Sequence, residues 1–64
     1  MTAAINPFVY MQQIAGRLPS LTDRREIETL LDEVEYLYDA LDPEMQEPAA
    51  QLIEDLRRRL VLAA

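Results

Sequence analysis

Hydrophobic residues recur at helical spacing along three segments of this chain, and each segment begins near a helix-starting signal. Before the first segment, Asn6 can accept a bond from a backbone N–H group, and Pro7 has no N–H group to leave unpaired. The first predicted helix therefore spans about residues 7–17. A glycine, a proline and a serine between positions 16 and 20 predict the turn that follows.

The second segment has the most regular hydrophobic pattern. Its apolar residues fall within about 120° of one helix face at 100° per residue. They are Ile27, Leu30, Leu31, Val34, Leu37, Tyr38 and Leu41. We predict a helix over residues 22–41, capped by Ser20 or Thr22. It ends there because Asp42 precedes a proline, and that position disfavours helical geometry.

The third segment repeats the starting signal of the first, with Asp42 before Pro43, and predicts a helix over residues 43–62. Pro48 has no N–H group for the carbonyl of Glu44, which costs about 3 kcal/mol in a helix interior. The apolar spacing nevertheless keeps its phase through Pro48. We therefore favour one continuous, kinked helix, and a short turn followed by a fresh helix is the alternative.

The connection between the second and third predicted helices is very short, which forces these helices to run antiparallel. The predicted fold is a single all-α, three-helix domain over residues 1–64, built on an antiparallel helical hairpin with a shorter N-terminal helix. Its predicted core consists of Ile27, Leu30, Leu31, Val34, Leu37, Leu41, Leu52, Ile53, Leu56 and Leu60.

The size of the chain limits its stability. A domain of 64 residues removes only about 60% of its unfolded surface from water. The sequence has neither cysteine nor histidine, so disulfide bonds and an ordinary zinc site cannot strengthen the fold. Self-association is the remaining common solution, and we expect a homo-oligomer, most simply a two-fold dimer.

The first predicted helix is the expected dimer interface. Its apolar arc covers about 160° at 100° per residue, which is wider than packing against one hairpin requires. Arg17 is its only charged residue. The predicted interface residues are Phe8, Tyr10, Met11 and Ile14.

The net charge of −6 is concentrated in the middle of the chain, where the second predicted helix carries a row of carboxylates. Tyr36 lies beside this row and off the apolar face. An exposed tyrosine of this kind is typical of a binding hot spot, because it offers a large contact area and loses little rotamer entropy. The predicted partner-binding residues are Glu28, Asp32, Glu35, Tyr36 and Asp39.

A metal site is the alternative interpretation of the carboxylate row. Such a site needs ligands that converge from several helices, usually with histidine among them. Here the acids occupy one helix and the chain has no histidine. We therefore predict a solvated face, with no metal and no other cofactor.

The run Arg57 to Arg59 lies in the last turns of the third predicted helix, where cations complement the helix dipole. We expect dipole compensation and salt bridges there. Contact with nucleic acid is the alternative, with Arg24 and Arg25 at the start of a would-be recognition helix. The acids on that same helix would repel phosphates, so we do not expect nucleic acid to be the main partner.

The residues offer little for catalysis, because no histidine or lysine is present to activate a hydroxyl and no glycine-rich loop could hold a phosphate. The apolar runs are far shorter than the roughly 20 residues that span a bilayer, and no basic-then-apolar leader is present. We therefore expect a cytoplasmic protein that is not an enzyme.

The predicted function is that of a small, acidic helical module that forms homo-oligomers and mediates or regulates protein–protein interaction. Its partners are then a second copy of itself and another protein, with no membrane involved. One alternative is a small transcriptional or toxin-linked regulator that contacts nucleic acid through its arginines. The other is a ligand-dependent or metal-dependent activity at a subunit interface.

Overall fold

The computed structural model describes residues 6–63, which form three α-helices. Helix α1 spans Pro7–Arg17, α2 spans Arg24–Tyr38 and α3 spans Pro43–Leu62, with a single 3₁₀ turn at Leu18–Ser20. Helices α2 and α3 pack as an antiparallel hairpin, and α1 contacts both. The predicted all-α, three-helix architecture is confirmed.

Helix α1 begins and ends at the predicted residues. The Asn6 side chain accepts a hydrogen bond from the backbone N–H of Phe8 at 2.9 Å, and Pro7 occupies the first turn. After α1, the Ser20 hydroxyl donates to the carbonyl of Arg17 at 3.0 Å and closes the 3₁₀ turn. Ser20 lies four residues before Arg24, where α2 begins, so it is too far from the first turn of α2 to cap it.

Helix α2 is shorter than predicted at both ends. Its N-cap is Asp23, whose carboxylate accepts from the N–H of Arg25 at 3.1 Å, so the prediction of Ser20 or Thr22 as the cap was wrong. At the other end, the N–H groups of Ala40 and Leu41 bond the carbonyls three residues earlier, at 2.9 and 3.2 Å. This change to a three-residue hydrogen-bond spacing ends the α-helix at Tyr38. Leu41, although outside the helix, is still buried in the core.

Helix α3 continues through Pro48, as the unbroken phase of its apolar residues predicts. Asp42 is extended, with φ −63° and ψ 153°, and its side chain makes no capping hydrogen bond. Pro48 is exposed, and so is Glu44, whose carbonyl the proline leaves without an intrahelical donor. The interruption therefore falls on a solvent-facing part of the first turns.

The core lies where all three helices meet. Seven of the predicted core residues are buried, but Leu37, Ile53 and Leu60 are only partly buried at its edge. Four buried residues were not predicted, because α1 and the loop after it cover the hairpin more fully than expected. They are Met11, Ile14, Leu21 and Ala49.

Two leucines of α3 provide a matched test of this core. Leu56 is 0% exposed and Leu62 is 70% exposed. We expect Leu56→Ala to lower the free energy of unfolding by about 2–5 kcal/mol, whereas Leu62→Ala should change it by less than about 0.5 kcal/mol. Urea titration followed by far-UV circular dichroism measures both. Equal effects of the two substitutions would contradict this packing.

Candidate functional site

Charge is distributed unevenly between the two ends of the three-helix bundle. Helix α1 runs antiparallel to α2, because Tyr10 contacts Glu33 and Arg17 contacts Glu26. All six arginines lie within residues 17–25 or 57–59, and these two segments meet at one end. We call this the arginine end.

The opposite end of the bundle contains the start of α1, the end of α2 and the start of α3. Residues 32–47 carry seven of the chain's 12 acidic side chains and no arginine. Gln46 of α3 donates to the carbonyl of Tyr38 in α2 at 3.1 Å and joins the two helices there. We call this the acidic end.

The four carboxylates of the predicted row differ in their surroundings. Glu28 pairs with Arg24, four residues before it, at 3.3 Å, and Glu35 pairs with Arg57 at 2.8 Å. Asp32 and Asp39 are exposed and have no cationic partner within residues 6–63. The available negative charge of the row therefore lies at these two aspartates, on either side of Tyr36.

The described part of the chain brings no three acidic side chains together in an arrangement that could hold a metal ion. The carboxylate row follows one helix, so its members point along the surface instead of towards a common centre.

Tyr36 is the most exposed large hydrophobic residue within residues 6–63, at 88% of its full accessible surface. Asp32 precedes it by four residues and Asp39 follows it by three, so both lie next to it on the helix surface. On its other side is a shallow cavity of about 210 Å³. Its walls are formed by Pro7, Tyr10, Glu33, Tyr36 and Leu37.

We name these cavity residues, together with Asp32 and Asp39, the Tyr36 surface. Sequence reasoning identified Tyr36, Asp32 and Asp39, but it missed the cavity. Pro7 and Tyr10 come from α1 and reach α2 only through tertiary packing. Their separation of more than 20 positions from Glu33 and Leu37 leaves no local signal in the sequence.

A hydrogen bond joins the two helices at the cavity wall, where the Tyr10 hydroxyl donates to the Glu33 carboxylate. Burial of the phenol, this hydrogen bond and the charge of Glu33, in that order, raise the pKa of Tyr10 from 10.0 to about 12. Tyr10 is therefore a neutral donor at physiological pH, and it holds Glu33 against α1.

The predicted dimer interface on α1 needs correction. Met11 is 5% exposed and Ile14 is 2% exposed, because α2 and α3 of the same chain cover them. These two residues belong to the intramolecular core and offer no surface to a second chain. Tyr10 is half-buried, whereas Phe8 remains 46% exposed.

Phe8 borders a second shallow cavity, of about 170 Å³, between α1 and α3. Ala15 and Pro48 are among its other wall residues. We name this groove the Phe8 groove; together with the exposed Val9, it is an apolar part of α1 that the fold leaves uncovered.

The arginine run at the end of α3 makes contacts within the chain. Arg57 pairs with Glu35 as described above, and Arg58 lies 3.1 Å from Asp55 and 3.7 Å from Glu54. The salt bridges predicted for this run are thus present for these two residues. Arg59 instead donates to the carbonyls of Leu21, at 2.7 Å, and Pro19, at 3.5 Å.

No protein-family model, curated protein or solved structure matches this chain. Within residues 6–63, no helix combines the length and the apolar character needed to cross a membrane.

The raised pKa of Tyr10 predicts a change of stability at high pH. The folded chain binds the phenol proton more tightly than the unfolded chain does, so this contribution is complete below pH 10.0 and is lost as the pH rises to about 12. We expect the melting temperature to fall across that interval, and to fall less in Tyr10→Phe. Thermal unfolding at a series of pH values tests this. The same pH dependence in both proteins would contradict the assigned hydrogen bond.

Proposed function

We propose that this protein is a non-enzymatic interaction module that binds another protein through the Tyr36 surface. The exposure of Tyr36 carries the proposal, since 88% of this large side chain is open to solvent beside an apolar cavity. Tyrosine is enriched among the residues that dominate binding energy, because it brings a large area at a small entropic cost. Here it lies on a rigid helix, which further lowers the cost of ordering it on binding.

The size of the cavity favours a protein side chain over a free small molecule. Its volume of about 210 Å³ is below the range of roughly 300–1,000 Å³ that is usual for small-molecule sites. A cavity of this size suits a single anchoring side chain from a partner surface.

The chemistry of the same groups argues against catalysis. The Tyr10 and Glu33 pair is the clearest acid–base pair at the cavity, but the pKa of Tyr10 is about 12. A general acid or base works best when its pKa lies near the working pH. The pair is therefore better suited to fixing α1 on α2 than to transferring protons.

The contacts of the arginines give little support to a nucleic-acid regulator. Arg17, Arg24, Arg57 and Arg58 are paired with carboxylates, and Arg59 is held by backbone carbonyls. Phosphate binding to these five arginines would have to compete with these contacts.

The proposal also includes self-association through the Phe8 groove. Phe8 and its neighbour Val9 are each 46% exposed, on a helix whose other large apolar residues are already buried or half-buried. A two-fold contact would cover this surface and add buried area to a small core.

Tyr36→Ala tests the interaction role. We expect the substitution to leave the melting temperature within a few degrees of the wild type, because the side chain is exposed. Affinity capture from a lysate of the source cells, read by mass spectrometry, should recover a partner with the wild type and lose it with Tyr36→Ala. Val61→Ala is the matched control, since it removes an exposed apolar side chain at the arginine end and should retain the partner.

A partner retained equally by Tyr36→Ala would overturn the assignment of the Tyr36 surface. Recovery of no specific partner by the wild type would overturn the interaction role.

Phe8→Glu tests the self-association. Sedimentation equilibrium at micromolar concentration should give a dimer for the wild type and a monomer for Phe8→Glu. At a two-fold axis, each buried glutamate would face the same negative charge on the other copy, which disfavours the dimer. Gln13→Glu places the same charge on an exposed position of α1 and should leave the dimer intact. A monomeric wild type, or a dimeric Phe8→Glu, would contradict this interface.

A further inference from the structure

We propose that the Tyr36 surface recognises a cationic segment of its partner protein, which places an aliphatic side chain in the cavity and an arginine or lysine against Tyr36. This inference rests on the proposed function and names the chemistry of the partner.

The charge distribution determines which kind of segment the surface attracts. Residues 32–47 carry seven acidic side chains and no arginine, and among the ion pairs within residues 6–63 only that of Arg57 with Glu35 offsets this charge. Asp32 and Asp39, beside Tyr36, have no cationic partner in the described chain. A negative surface attracts basic partners and repels acidic ones over a distance set by the ionic strength.

The Tyr36 ring adds a second feature that favours a cation. An exposed aromatic face binds a guanidinium or ammonium group by a cation–π contact, and arginine also stacks on it. The carboxylates four residues before the ring and three residues after it flank this face along the helix. An arginine over the ring therefore meets carboxylates on both sides, and can form charge-assisted hydrogen bonds with them.

The cavity supplies the apolar half of the recognition. Pro7 and Leu37 contribute apolar walls, and Tyr10 contributes its ring. The Tyr10 hydroxyl already donates to Glu33, so it leaves no unpaired donor at the cavity wall. The free energy of binding in such a cavity is most favourable for an aliphatic side chain, branched or linear, because its burial leaves no polar group unpaired. The expected segment thus combines basic residues with at least one leucine, isoleucine or methionine.

A second copy of this chain fits the Tyr36 surface poorly. Its arginines lie at the opposite end of the bundle, and Arg17, Arg24, Arg57 and Arg58 are already paired with its own carboxylates. Contact between the arginine end of one copy and the acidic end of the next would also be head-to-tail. Repeated head-to-tail contacts build an open filament unless the rotation between successive copies closes them into a ring.

Selection from a random library of displayed peptides tests the inference without a known partner. The full-length protein is immobilised, the enriched peptides are sequenced, and the most frequent ones are synthesised with a fluorescent label. Fluorescence anisotropy then gives a dissociation constant for each variant. We expect the enriched peptides to be net basic and to contain an aliphatic residue, and their affinity to fall when salt is raised from about 50 to about 300 mM.

Three variants show whether binding uses the proposed groups. Tyr36→Ala should weaken the selected peptides by at least about tenfold. The double variant Asp32→Asn with Asp39→Asn should weaken them by about three- to tenfold and reduce the dependence on salt. Glu54→Gln is the matched control, since it removes an exposed carboxylate at the arginine end and should leave affinity unchanged.

Neutral or acidic peptides among the enriched sequences would overturn the inference. Peptides that bind Tyr36→Ala as tightly as the wild type would also overturn it. So would peptides that bind only by displacing a second copy.

The capture experiment separates this inference from the proposed function. A captured partner that depends on Tyr36 but docks through a neutral or acidic segment, identified by cross-linking, would overturn the cationic chemistry alone. The interaction role would stand in that case.

Discussion

Burial of the apolar stripe of α2 between α1 and α3 is the constraint on which the rest of the structure depends. Ile27 and Val34 of this stripe are fully buried, and Leu56 of α3 packs into the same cluster. Once these residues face inward, the period of the helix turns Tyr36 outward and places the carboxylates along the edge. The position of the candidate site thus follows from the packing of the core.

The same packing determines the direction of α1. With Met11 and Ile14 inserted between α2 and α3, the start of α1 lies beside the end of α2. This arrangement brings Pro7 and Tyr10 to Tyr36, and it brings Arg17 to the N-terminal half of α2. The cavity and the uneven distribution of charge therefore have one structural origin.

Local signals in the sequence predicted the three helices and the exposure of Tyr36 well. Pro7 and Pro43 marked the starts of α1 and α3, because a proline at the first helical position acts locally, and Asn6 adds its capping hydrogen bond to α1. The start of α2 was harder, since three polar residues near it can each cap a helix. Only the observed start of α2 at Arg24 decides among them, because it makes Asp23 the residue directly before the helix, where its carboxylate accepts from the N–H of Arg25. The width of the apolar arc of α1 likewise could not reveal whether Met11 is covered by its own chain or by another.

The uneven distribution of charge has a kinetic consequence that the net charge conceals. The bundle is 36 Å in its longest dimension, whereas the Debye length at physiological salt is about 8 Å. A partner that approaches one end therefore feels almost nothing of the other end, and the acidic end acts on it as a separate charged body. In the field of such a partner the molecule experiences a torque, and its tumbling is biased before any atoms touch. Diffusional encounters are thus partly oriented in advance, so ionic strength governs the rate of association even where the final contact is largely apolar.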